Sequence, residues 1–312
     1  MSASIERLDF HEEEVNLVHG EKIVLLGSCF SNNFAPKFIQ AGFETLSNPL
    51  GTIFHPLALS EIIQCAFESN PKERLVNRDD LWFDWRASST IYGMSREEIQ
   101  SKMDATFSIL KNALTNAGLL VVTFGTTWGY HLNSGEIVAN CHKIPQDNFE
   151  KKMTSLEVLL SAWKETLELL RKENPKLKVV FSVSPVDHVK DGMVGNSRSK
   201  ARLIELIAKL EEEGAAYFCS YELAKDRFSD SKFYEADQLH LNAHAIEMIW
   251  QSAQIFFLNP ESLALASQVM RVNHTRDHRP IHPESRAARE LKEKVALKMQ
   301  ELSRQHPEIY WK

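Results

Sequence analysis

The sequence predicts an α/β protein: a three-layer α/β/α sandwich around a five-stranded, mainly parallel sheet, with an aromatic insertion and a C-terminal helical extension. Three observations lead there. Five short apolar runs alternate with longer stretches of helical periodicity, the order expected of parallel strands joined by crossover helices. Glycine or Asn-Pro punctuates the helical stretches, at Gly42, Asn70-Pro71, Gly118, Asn174-Pro175 and Gly214. The composition, 43% hydrophobic and 25% charged over 312 residues, is that of a chain able to bury a sizeable core.

The elements follow in order. Lys22-Ile23-Val24-Leu25-Leu26 reads as a buried strand ending at Gly27. Residues 31–40 place Phe34 and Phe38 one helical turn apart, and Glu44-Thr45-Leu46 is a short second strand. Residues 57–67 read as helix. Ser95 and Glu98 have capping-box spacing, and Ile99, Met103, Phe107, Leu110 and Leu114 then recur at steps of three or four until Gly118. Residues 119–124 form the third strand. A second box, Thr154 with Glu157, opens a helix carrying Leu160, Trp163, Leu167 and Leu170. Residues 178–183 and 216–219 supply the remaining strands, flanking a helix over 199–213, and 243–256 is the closing helix. Ligands of such sheets bind beyond the carboxyl ends of the strands.

Two segments stand outside this rhythm. An insertion over about residues 70–95 concentrates Trp82, Phe83, Trp85 and Tyr92; such density suits core packing more than stacking on a sugar ring. Residues 259–312 follow the main domain, 1–258, as an extension: a loop with His274, His278 and His282, then a charged helix near 285–305. The three histidines lack accompanying cysteines or acids and Pro280 interrupts them, so no metal is expected. The balance of 36 basic against 42 acidic residues argues against nucleic acid as the partner. No apolar run approaches the roughly 20 residues needed to cross a bilayer. The start of the chain, with Glu12-Glu13-Glu14, lacks the pattern of a secretory leader, and the four cysteines are widely spaced; both suit a cytoplasmic protein with reduced thiols.

The chemistry concentrates at two distant places. Gly27-Ser28 lies where a buried strand turns into a helix, so Ser28 sits at the carboxyl edge of the sheet beside unpaired helix N–H groups that can stabilise an oxyanion. The same position suits a plain helix N-cap. Far downstream, Asp237 precedes His240 by three residues on a loop before the last helix. The carboxylate can hold the imidazole's tautomer, leaving its other nitrogen to take a serine proton. A turn-capping Asp and a surface His would look alike.

Several further blocks stand in order: Gly27-Ser28-Cys29-Phe30-Ser31, Asn48-Pro49-Leu50-Gly51-Thr52, Phe83-Asp84-Trp85, Phe124-Gly125-Thr126-Thr127-Trp128, Ala139-Asn140-Cys141-His142-Lys143, Ser184-Pro185-Val186, and Phe233-Tyr234 ahead of Asp237 and His240. Over roughly residues 20–258 the chain resembles the GSCFA family, with Ser31 in place of the motif's alanine. That family is grouped with the SGNH/GDSL hydrolases, whose flavodoxin-like fold serves esterases, lipases and carbohydrate acyl-modifying enzymes. The resemblance implies Ser28 as nucleophile, Asp237 with His240 as the base pair, and an oxyanion hole from the N–H groups of Ser28 and Gly51. It implies no cofactor and, as partner, a small-molecule or carbohydrate ester. Where SGNH enzymes carry an oxyanion asparagine, this chain has Thr127. Thr127 then completes a weaker hole through its shorter hydroxyl, or Asn140 or His142 is a different donor, or the site binds without turnover. Cys29 beside Ser28 reads as a packing residue before a second nucleophile.

Overall fold

The structure, a computed structural model, describes residues 15–228 and 230–312; Glu12-Glu13-Glu14 lies outside them. The chain runs β1 (Lys22–Gly27), α1 (Cys29–Gln40), β2 (Thr45–Ser47), α2 (Pro56–Phe67), β3 (Leu75–Arg78), β4 (Leu81–Asp84), α3 (Arg96–Asn116) and β5 (Ala117–Phe124). It continues through β6 (Trp128–Leu132), β7 (Ile137–Val138), β8 (Phe149–Met153), α4 (Leu156–Glu173), β9 (Lys178–Val183), α5 (Gly192–Glu211) and β10 (Ala216–Phe218). Helices α6 (Ser220–Arg227), α7 (Ala243–Phe257), α8 (Pro260–Asp277) and α9 (Arg286–Gln305) complete it.

Five strands form one sheet in the order β10-β9-β5-β1-β2, every pair parallel. Side chains alternate along each strand, so the two faces meet different helices. Val24, Leu26, Leu120, Val122 and Phe124 share a core with α2, α3, α4 and α5, whereas Ile23, Leu25, Leu119 and Val121 pack against α1, α6 and α7. The connection from β1 leads outward to β2, and β5 returns to the other side of β1. The sheet's topological switch point therefore falls between β1 and β5, the place where ligands of such sheets bind at the carboxyl ends.

Two small antiparallel units are inserted at that edge: the β3–β4 hairpin and a sheet in the order β7-β6-β8. The second, over 128–153, has no counterpart among the sequence-based expectations because its strands are short and charged. The two units lock together: Ala139 N–H donates to the Trp85 carbonyl at 2.7 Å, and Trp85 meets Phe149 edge-on. Phe83 and Trp85 are buried, while Tyr92 is exposed beneath Lys102.

Local expectations shift in instructive ways. The N-cap of α4 is Ser155, not Thr154, because the Thr154 hydroxyl bonds His55 Nε2 at 3.1 Å instead. Ser95 caps α3 as its spacing predicts, but Glu98 takes the N–H of Met94 and not that of Ser95. Helix α5 begins at Gly192 rather than at 199; buried Asn196, held by Asp187, overrides the helix-breaking look of that stretch. His274 lies in α8 and not in a loop. Leu265, Val269 and Val272 of α8 join Leu302 of α9 and Ile309 in a third apolar cluster, which the narrow apolar stripe of this sequence concealed.

Candidate functional site

The register of the central strands sets the height of the rim. Gly27 is level with Thr123, and Thr123 with Ser182, so Ser28, Phe124 and Val183 follow on one line at the carboxyl ends. Gly27 has φ 124°, and a Cβ there would stand 2.1 Å from the Thr123 carbonyl oxygen. Only glycine allows the strand to turn this tightly into α1. Ser28 is the N-cap of α1: its Oγ accepts the Phe30 N–H at 3.3 Å, and the residue is fully buried.

Helix packing brings the loop ahead of α7 toward the same end of the sheet as Ser28. The end of α7 lies against the segment entering β1, with Leu17 N–H donating to the Phe257 carbonyl at 2.8 Å. Fifteen residues of helix, about 22 Å, then carry the start of α7 to the opposite, carboxyl end of the sheet. Helices α1 and α7 run side by side in the same direction, through Phe34–Trp250, Phe38–Trp250 and Phe38–Phe257 ring contacts and a Lys37–Glu247 ion pair. Ser28 heads one helix, and Asp237 and His240 lie on the loop leading into the other. Asp237 Oδ2 accepts from His240 Nδ1 at 2.7 Å, and Oδ1 accepts the N–H groups of Leu239 and His240 at 2.9 and 3.0 Å. These bonds from His240 and Leu239 hold the Asp237 carboxyl down at about 2. His240 Nε2 is left to act as an acceptor. Among the described residues no hydrogen bond joins Ser28 to His240.

The donors implied by family resemblance are already engaged. Ser28 N–H bonds the Thr123 carbonyl at 3.0 Å, and Gly51 N–H bonds that of Asn48 at 2.8 Å. Thr127 is fully buried, and both its N–H and its hydroxyl donate to Ser199 Oγ, at 2.7 and 3.1 Å. Asn140 and His142 sit in the seam between the two insertions. His142 contacts Ser89 Oγ and the Asp84 carbonyl through its two ring nitrogens, each at 2.9 Å, and stacks on Phe83. Asn140 Oδ1 accepts from Ser89 and from His142 N–H. Both residues brace Ser89, whose neighbour Ser88 packs against Gly51.

Burial pushes the Cys29 thiol up despite the N–H groups of Cys29 and Phe30 and the nearby Lys200. A protonated thiol is a poor nucleophile.

Sequence reasoning missed two residues beside this rim. Lys200 is buried, and its Nζ donates to the carbonyls of Gly125, Ser184 and Val186 at 2.9, 2.7 and 3.0 Å, tying the ends of β5 and β9 together. Burial pulls it down to about 7. His188 follows the Ser184-Pro185-Val186 block and lies against Phe54. The lysine was hidden because a Lys in a helical stretch reads as a solvated face, and His188 because no periodicity marks it.

Among the described residues no cluster of three or more His, Cys, Asp or Glu is placed to hold a metal ion, and no helix is long and apolar enough to cross a membrane. Two open grooves lie away from Ser28: one of about 320 Å³ between α8 and α9, one of about 400 Å³ between α1 and α8.

Residues 22–252 match the GSCFA family. A solved structure described as a GDSL-like lipase, from Parabacteroides merdae, superposes with a TM-score of 0.41 at 8% identity, over 81% of this chain and 100% of its own. No curated protein matches the chain.

Proposed function

Because the chain belongs to the GSCFA family, we propose that it is a serine hydrolase or O-acyltransferase acting on an ester-linked acyl group of a small molecule or carbohydrate. The reading rests on one observation: Ser28 and the Asp237–His240 pair stand at the heads of two neighbouring helices that run the same way. Ser28 Oγ attacks the acyl carbonyl, and His240 Nε2 takes the hydroxyl proton as the new C–O bond forms. Collapse of the tetrahedral intermediate breaks the ester bond, and His240 returns that proton to the departing alkoxide. Water or a second hydroxyl then releases the acyl group from Ser28 by the same steps in reverse. Asp237 keeps the proton on His240 Nδ1 throughout and offsets the charge of the imidazolium.

A second reading is favoured by the burial of Ser28 and its hydrogen bond to Phe30 N–H: a binding protein on the same fold, with Ser28 serving only as an N-cap. A fluorophosphonate probe separates the two. The hydrolase reading expects covalent labelling of the wild-type chain that is lost in Ser28→Ala and in His240→Ala. The capping bond is long, so Ser28→Ala costs only about 0.5–1 kcal/mol of stability and stays folded. Labelling that persists in Ser28→Ala, or its absence in the wild-type chain, sinks the hydrolase.

A further inference from the structure

With Ser28 taken as the nucleophile, we propose that the imidazole of His188 donates a hydrogen bond to the acyl oxygen of the substrate, the role left open because Thr127 is turned into the protein. His188 follows β9 at the carboxyl ends of the strands and lies against Gly125, which follows β5, the neighbour of β1 in the sheet. Its Nε2 would lie 3.0 Å from a Cβ placed on Gly125, and Gly125 is two residues beyond Thr123, whose carbonyl receives the Ser28 N–H. The ring packs edge-on against Phe54, with centroids 5.2 Å apart. Phe54 in turn accepts the Gly125 N–H through its carbonyl at 2.8 Å, so imidazole, phenyl ring and glycine form one wall at the switch point.

The backbone of His188 is fixed while its ring is unspent. The His188 N–H donates to Asn196 Oδ1 at 2.9 Å, Asn196 Nδ2 donates to Asp187 Oδ1 at 2.9 Å, and Lys225 Nζ donates to Asp187 Oδ2 at 2.7 Å. The ring nitrogens hold no hydrogen bond among the described residues. The other histidines in this region differ: His55 is bonded through Nε2 to the Thr127 carbonyl and through Nδ1 to Leu57 N–H, and His142 uses both nitrogens. A half-buried imidazole whose backbone is fixed and whose ring nitrogens have no protein partner among the described residues can donate to an acceptor brought to the carboxyl ends of the strands. Burial, reinforced by the Lys200 charge, pulls His188 down to about 4. Around neutral pH the ring is therefore uncharged and carries one N–H. Such a group stabilises a developing oxyanion by hydrogen bonding without surrendering its proton, which leaves base catalysis to His240.

Three proteins test this: wild type, His188→Ala, and His188→Gln, which restores an N–H donor. Hydrolysis of p-nitrophenyl acetate is followed from pH 5 to 9, with the fluorophosphonate labelling rate as a second readout, because the phosphonyl oxygen occupies the same position. The expected result for His188→Ala is a loss of about 10²–10³-fold in kcat and in labelling rate, with KM within a few-fold and the pH midpoint unmoved. His188→Gln should recover at least tenfold of that loss. Wild-type kcat in a folded His188→Ala protein overturns the proposal; so does a loss in the alanine variant that glutamine does not repair. A shifted pH midpoint would instead make His188 the base and equally overturn it. If His188→Ala fails to fold, His188→Leu takes its place, with the same loss expected and the same results overturning the proposal. Turnover surviving in Ser28→Ala marks failure of the nucleophile assignment, as does a wild-type chain that neither hydrolyses nor labels. Serine dependence with indifference to position 188 marks failure of this proposal only.

Discussion

Lys200→Met offers the most demanding test of how this rim is built. The substitution keeps the length and apolar stem of the side chain but removes its ammonium. Three carbonyls, those of Gly125, Ser184 and Val186, lose the donor that lies 2.7–3.0 Å away. Each buried acceptor left without a partner costs about 1–3 kcal/mol. Against that total stands relief of the penalty for burying an ammonium, several kcal/mol in a real protein interior. At pH 7 the net effect should be a destabilisation of about 2–4 kcal/mol, small enough for the chain to remain folded. The pH dependence is more diagnostic. Lys200 lies near 7 in the folded protein, against an ordinary 10.5. Below 7 both states hold the proton and the burial penalty is fully present; between 7 and 10.5 only the unfolded chain keeps it. Stability therefore rises with pH across that interval, and the gain from pH 7 to pH 9 is about 2 kcal/mol for a group at 1% exposure. Urea denaturation of both proteins at the two pH values measures it. The wild type should gain this increment relative to Lys200→Met. Equal slopes in the two proteins, or a methionine variant more stable than wild type at pH 7, would refute the account of Lys200 as a buried strut.

Two other perturbations bear on the proposed chemistry and its scaffold. Asp237→Asn removes the acceptor that fixes the His240 tautomer, so kcat for p-nitrophenyl acetate should fall by about 10⁴-fold; a loss below tenfold would mean that the carboxylate only shapes the loop. Gly27→Ala places a methyl group 2.1 Å from the Thr123 carbonyl at φ 124°, and should destabilise the chain by more than about 3 kcal/mol, read as a fall in urea midpoint. A midpoint unchanged in Gly27→Ala would mean that the turn from β1 into α1 has another conformation.

What the sequence settled by itself is the layered α/β order. Alternation of apolar β runs with 3.6-residue periodicity is a local property, and β9 occupies the predicted residues because both its faces are buried and its sequence says so. The strand-turn-helix at Gly27-Ser28 and the Asp237–His240 bond are equally local, one a φ requirement and the other a three-residue reach. What only tertiary structure decided is where polar groups spend their hydrogen bonds. Thr127 has the right position in its block, yet its hydroxyl goes to Ser199 on a helix more than seventy residues away. Asn140 and His142 face the insertion, whose aromatic composition the sequence marked but whose hairpin only the structure revealed. Lys200, a charge in an ordinary helical stretch, is drawn inside by three carbonyls that come together only when β5 and β9 lie side by side. Periodicity records which face is apolar. Satisfaction of a buried donor or acceptor depends on partners from distant segments, and no local pattern encodes that meeting.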